Sequence, residues 1–380
     1  MQTSLNLKNP KFVLAGLAYF LIGAIIWYKY GIQFGGEAEK YIDDANRILH
    51  GDSLRNGIFG IFYIIYSATV ALFLKLGSVP LMVALQLILS FIAAYFFYKL
   101  VFRVTKNEKI SFLFFICYLL CFPIQKWNFF LYSEGMHTSL LVIAVYYFDK
   151  FLSSNTIKGL LLIFLMLILV LFSRPVGLIF LLTSGIVLVA HFYRARKMGF
   201  FLAGLIFGIG ALIAITNSPI TTFINPDSLK RLEVICQVPE TNADTSYTEF
   251  NHAGLGKVFS VIKNEIGIGT FLQNGIKKLG CFFGMYRSYY SWKSNGLLLL
   301  YWIFYPLALL GIFIKTRDRS KELKWFSLSY IVITSLLIFI TCDDWANRFI
   351  SPVFPFIMLL AAIGANALFG ARTTTQNSDN

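Results

Sequence analysis

Four carboxylates crowd one short stretch of this chain. Glu37, Glu39, Asp43 and Asp44 fall within GGEAEKYIDDANRILHG, residues 35–51, just past a first apolar run. A carboxylate beside a bilayer is costly unless it is solvated or used. In the same stretch Tyr41, Ala45, Ile48 and Leu49 recur at helical spacing, an apolar stripe beneath an acidic face. The pattern predicts a helix lying on a membrane surface with its acids held above it. An ordinary solvated loop helix would carry the same pattern. The chemistry on offer is that of a general base, a carboxylate that takes a proton from a hydroxyl.

Other ionisable residues sit at the ends of apolar runs. Glu134 opens the run that follows YSEGMHTSLL, where a helix dipole also favours an acid. Arg174 lies in FSRPVG between two runs, with Pro175 allowing a break. An arginine at a span end can simply snorkel, but a guanidinium also grips phosphate bidentately and stays charged. CDDWANRFISPVFPF carries Asp343, Asp344 and Arg348, for which pairing at a helix start and substrate contact are both open. Arg287 lies in KKLGCFFGMYRSYYSW, whose cations and aromatics suit an interfacial segment near anionic headgroups or packing against other spans. P-loop, zinc-protease, nucleophile-elbow and Rossmann signatures are missing from the sequence.

The elements that must position these residues are membrane spans. Hydrophobic residues make up 57% of the 380 and charged ones 14%, and mean hydropathy is +0.68. Several runs approach or exceed the ~18 apolar residues of a spanning helix. The first follows Lys8 and Lys11 and ends without a cleavage site, so it reads as an uncleaved anchor. The net charge of +14 does not point to nucleic acid, because the basic residues are dispersed in short clusters between apolar runs. Arg103, Lys106 and Lys109 form one cluster. Arg194, Arg196 and Lys197 form a second, and the third spans Lys315 to Lys324. Such loops belong on the cytoplasmic side, as do both termini.

Counting crossings against those clusters gives an all-α polytopic membrane protein with about ten transmembrane helices. They are expected over residues 12–30, 80–101, 110–125, 136–150, 159–173, 176–193, 199–216, 296–314, 325–341 and 350–370. Parity requires residues 58–76 to lie along or dip into the outer leaflet rather than cross. Residues 1–216 then form a transmembrane core with outer loops at 32–79 and 125–135. Residues 217–295 form a long outer segment with interfacial helices, 296–370 the C-terminal spans, and 371–380 a polar cytoplasmic tail. Glu37, Glu134, Arg174, Arg287, Asp343, Asp344 and Arg348 all fall on the outer face. Cys117 and Cys121 read as packing residues, and Cys236 could pair with Cys281 on an oxidising face.

This arrangement resembles the C-type membrane glycosyltransferases, which include protein O-mannosyltransferases and lipid A aminoarabinose transferases. GEAEKYIDDANRILHG resembles the family's first outer loop and FYIIYSATVALFLKLG its surface helix. YSEGMHTSLLVIAVYYF resembles the second acidic position and its span. SRPVGLIFLL and NRFISPVFPFIMLLAAIGA resemble the Arg-Pro and Arg-aromatic segments. The resemblance implies a polyprenyl-phosphate sugar donor, a lipid, glycan or protein acceptor, and an inverting transfer on the periplasmic face of a bacterial inner membrane. Glu37 and Glu134 match the catalytic acids, although relatives usually carry Asp at the first position. Arg174 and Arg348 match donor-phosphate positions, to which Arg287 is added from its place on the outer face. Tyr41, Asp44, Asp343 and Asp344 are candidate substrate contacts. The carboxylates could ligate a divalent metal, on which some relatives depend. Rival readings are an O-antigen polymerase or ligase, which needs no acid after the first span, and a transporter. Against the transporter, the ionisable residues gather at one face and no inverted repeat is evident.

Overall fold

The computed structural model describes residues 9–35, 37–55, 57–154, 156–194, 229–236, 260–315, 318–344 and 346–369. These residues are helical, and their only β pairing is in isolated bridges. The expected span at 199–216, residues 217–228 and 237–259 of the long outer segment, and the polar tail lie outside them.

Helix α1 (Pro10–Tyr30) starts from an Asn9 cap with proline in its first turn and stops at Gly31. Helix α2 (Ala38–His50) closes on Gly51, whose left-handed backbone suits glycine. A 3-10 turn, Gly57–Tyr63, leads into α3 (Ile64–Lys75). Then come α4 (Pro80–Thr105), α5 (Glu108–Leu119) and the short α6 (Phe122–Gln125), which continues as a 3-10 turn over Lys126–Phe129. Helices α7 (Ser133–Ser154), α8 (Ile157–Leu171) and α9 (Gly177–Arg194) follow. Further on lie α10 (Ile268–Gly284), α11 (Trp292–Phe313), α12 (Asp318–Ile340) and α13 (Phe354–Phe369).

Polar contacts divide the bundle into two ends. At one end Lys11 of α1 pairs with Glu108 of α5, and Arg103 of α4 lies 2.7 Å from Asp149 of α7. There too, Ser320 of α12 donates to the Arg103 carbonyl, Asn366 of α13 donates to the Thr105 carbonyl, and His191 of α9 meets Glu322 of α12 at 3.7 Å. The acids and arginines singled out above gather at the other end. Helix α1 leaves at that end, where Gln33 bridges to Phe130. Helix α4 must enter there, since Arg103 in its last turn lies at the first end. Residues 31–79 therefore start and finish at the same end, and α3 makes no net crossing. It lies against α2, with the Tyr41 and Tyr66 rings 4.8 Å apart.

By length and composition α1, α4, α11 and the Ser320–Ile340 part of α12 can each cross a membrane. The pair Glu108–Leu119 and Phe122–Phe129, bent by 47°, would count as a fifth span. The expected count of about ten is therefore not established; α8, α9 and α13 are apolar but shorter.

The bend packs the chain that follows it into the bundle. Residues 125–135, read as an outer loop, are largely buried, including Trp127, Asn128, Leu131 and Tyr132. Backbone inside a bundle needs polar partners. Gln86 of α4 donates to the carbonyls of Asn128 and Phe130, at 3.1 and 3.0 Å. The Gln125 side-chain oxygen accepts from Tyr19, Ser90 and Asn128 at 2.8 to 3.0 Å. These side chains let the chain turn within the bundle and deliver Glu134 to its interior.

The outer surface is apolar. Leu14, Leu17 and Leu21 of α1 and Leu161, Phe164 and Leu165 of α8 are exposed, as a lipid-facing surface requires. Helix α10 is amphipathic with its polarity inverted. Along its first three turns it buries Asn274, Gly275 and Lys278 and exposes Ile268, Leu272 and Ile276, while Phe282 is buried and Gln273 and Lys277 are exposed. Helices α11 and α13 cross at Gly311 and Gly364, where a Cβ on either would strike the other helix's backbone. That crossing seats α13, and with it the turn before it.

Candidate active site

Glu37 stands at the N-cap position of α2, but its carboxylate does not cap that helix. It pairs with Nη1 of Arg348, in the turn between α12 and α13 and 311 residues further along. The same Nη1 lies 3.5 Å from Glu134 Oε1, and Arg348 Nε donates to Asp344 Oδ2 at 2.9 Å. Arg174, in the turn between α8 and α9, places Nη1 2.7 Å from Glu134 Oε1. Four separate parts of the chain thus meet in one acid–arginine cluster.

Exposure sorts its members. The Glu134 side chain is 0% exposed, and neither oxygen is met at hydrogen-bonding angles, so charge rather than aligned bonding holds it between the two arginines. Arg174 and Asp344 are buried as well. Glu37 is 31% exposed, and Lys40, one turn along α2, lies 3.6 Å from it. Burial raises the Glu37 carboxyl, but Arg348, with Lys40 and Arg174 behind it, outweighs burial and holds it below its ordinary value of 4.5.

The turn carrying Arg348 is pinned from several sides. Asn347 adopts a left-handed backbone, which Asn tolerates, and donates to the Met285 carbonyl at 2.7 Å. Lys126 Nζ bonds the Ala346 carbonyl at 2.5 Å. Arg287 Nη2 donates to Asp343 Oδ2 at 2.5 Å and to the Asp344 carbonyl at 2.9 Å. Cys236 forms a disulfide with Cys342, not with Cys281 as the sequence allowed, and Cys281 is a free thiol. Main-chain bonds between Val234, Cys236 and Asp343 bring Cys236 beside Cys342, whereas the Cys281 sulfur sits against Arg287 Nη1 at 2.9 Å.

The structure brings Glu37, Glu134, Arg174, Asp344 and Arg348 together. Arg287 and Asp343 form a neighbouring buried pair joined to them through the Asp344 backbone. Tyr41 is set just below, its hydroxyl 3.0 Å from Ser133 Oγ. Asp44 faces away and accepts from the Arg55 amide at 2.9 Å, tying down the loop after α2. Sequence reasoning missed Lys40 and Lys126; only Lys40 carried a signal, its spacing of three from Glu37. Among the described residues no three His, Cys, Asp or Glu side chains converge as a metal site needs. Glu37, Glu134 and Asp344 each face an arginine. The residues present do not fit a metal.

Asp344 and Arg348 of this cluster fall in a stretch that matches a family model. Residues 266–379, just under a third of the chain, match the model of the Alg9-like mannosyltransferase family, which has the GT-C fold class. That stretch holds Arg287, Asp343, Asp344 and Arg348, and its match agrees with the resemblance seen in the sequence. An all-helical membrane glycosyltransferase is the class that fold and match support together. No curated protein matches the chain.

Proposed function

We propose that this protein transfers a sugar from a polyprenyl-phosphate donor to an envelope acceptor on the non-cytoplasmic face of a bacterial inner membrane. The observation that carries the reading is the pairing of Glu37 with Arg348 above the buried Glu134 and Arg174. It sets a solvent-reachable carboxylate beside a guanidinium at one end of a lipid-facing bundle. A donor with a lipid tail requires such a place.

Glu37 takes the proton of the acceptor hydroxyl as its oxygen bonds the anomeric carbon. The bond from that carbon to the phosphate oxygen breaks, and Arg348 meets the charge gathering on the lipid phosphate. One displacement inverts the anomeric centre. Glu134 and Arg174 act as positioning residues that hold Arg348 from behind. Two features support the non-cytoplasmic side. The basic clusters favour a cytoplasmic opposite end, and the Cys236–Cys342 disulfide, next to Asp343, suits an oxidising compartment.

The test offers several polyprenyl-phosphate sugars to purified protein and follows transfer or hydrolysis. At least one donor should turn over, and Glu37→Gln should lower the rate by about 10²–10⁴-fold, the usual contribution of a general base. Glu37→Asp should retain part of it. Near-normal transfer by Glu37→Gln removes Glu37 from the base role, and silence toward every donor removes the donor class.

A further inference from the structure

Arg348 is held unequally on its several sides. Asp344 grips Nε and Glu134 lies behind Nη1, both buried carboxylates. Glu37, the third partner, is the exposed one, and Nη2 donates to no described residue. A guanidinium backed by two buried acids keeps its place when the partner in front leaves. A carboxylate held on a guanidinium is, for its part, a poor base, because the cation stabilises its ionised form. The closed Glu37–Arg348 pair therefore lacks a free base and leaves only Nη2 open to a phosphate oxygen, short of a bidentate grip.

We propose that Glu37 and the donor's phosphodiester compete for the outer edge of Arg348, so that docking of the lipid phosphodiester releases Glu37 to act as base. This rests on the glycosyl-transfer reading above and adds an order to it: the acceptor's proton can be taken only after the donor has arrived. The exchange also guards the site, since an acceptor or water entering alone meets a masked carboxylate.

The surroundings of Glu37 give the exchange a measurable sign. Arg348 faces it from the turn before α13, Arg174 from the turn before α9, and Lys40 from its own helix. Glu134 of α7, Tyr132 just before α7, Tyr41 of α2 and Tyr63 at the start of α3 complete the titratable neighbours. With Arg348 diverted to a phosphate, its lowering influence is shared while burial and the new negative charge still raise the carboxyl. Glu37 must then take up part of a proton in mildly acid solution.

Isothermal titration calorimetry at about pH 5.5, in two buffers of different ionisation enthalpy, counts that proton. The probe is a polyprenyl methyl phosphodiester, which has no sugar to transfer and no group titrating near neutrality. Wild-type protein should bind it with net proton uptake. Glu37→Gln should bind without uptake and about three- to tenfold more tightly, its internal competitor gone. Binding by the wild type without uptake overturns the exchange whatever the variant does, and leaves the donor reading standing. Absence of binding to both proteins overturns the exchange and the donor reading together.

Discussion

Glu134 and Arg174 form the inner half of the cluster, and each is the other's compensation. Removing one partner of a buried ion pair leaves an uncompensated charge and costs about 3–5 kcal/mol. Glu134→Ala and Arg174→Ala should each destabilise the purified protein by that order, read as a lowered thermal midpoint, and the double variant by less than their sum. Additive losses would mean that the pair is not coupled. The outer half titrates. Glu37 has its folded-state value below the ordinary 4.5, so the unfolded chain binds more protons in that range. Its contribution to stability is complete above about pH 4.5 and is lost as pH falls through the folded value. Melting curves from pH 6 to 3 should show an acid limb that Glu37→Gln flattens. At this scale the sequence was half legible. Ionisable residues at span ends announced Glu37, Arg174 and Arg348, since charge at a membrane boundary is rare without cause. Which acid would be buried was not visible, because that depends on a bend at residues 120–122 whose polar support comes from α1 and α4. Asp44 misled for a related reason: its helical spacing set it among the acids, while the fold turned it toward the Arg55 amide.

Among elements, the turn from 341 to 348 does most to shape the site. Its disulfide closes a loop of 106 residues, for which chain entropy predicts about 4–5 kcal/mol of stabilisation. Cys236→Ser, Cys342→Ser and the double variant should share one lowered thermal midpoint, and Cys281→Ser should leave it unchanged. A Cys342→Ser protein as stable as wild type would show that the bond is dispensable. Helix positions were readable in advance because apolar runs of membrane length leave little choice of structure. Charge parity kept the 58–76 run from crossing, and the helix there starts and finishes at one end of the bundle. The partner of Cys236 was not, because the choice is made by main-chain bonds between Val234, Cys236 and Asp343 that no cysteine spacing reports.

For the whole molecule, the division into two ends is the claim with the widest reach. It sets Asp52, just after α2, opposite Lys109 in the first turn of α5, and both are exposed. Single cysteines introduced at these positions should label oppositely in intact cells. Asp52→Cys should react with an impermeant maleimide from outside, and Lys109→Cys only after the membrane is opened. Labelling of both from the same side would break the shared face on which the active site depends. The basic clusters at Arg103 and Lys109 sit at the end opposite the acid–arginine cluster, as charge counting expected of one side of a membrane. How the C-terminal helices close over the first loop was not, because the crossing at Gly311 and Gly364 is a matter of backbone proximity between segments about fifty residues apart.

The pairing of Glu37 with Arg348 also has a history in time. The two residues are 311 positions apart, so at ~5–20 residues per second the ribosome delivers the second some 15–60 s after the first. Throughout that interval Glu37 waits without its arginine, Glu134 has Arg174 alone, and Cys236 waits for Cys342. No nascent chain short of Arg348 can form the Glu37–Arg348 pair. A chain stopped before Arg348 should therefore lack the outer ion pair and the disulfide together, and should be cleared by proteolysis faster than the full chain.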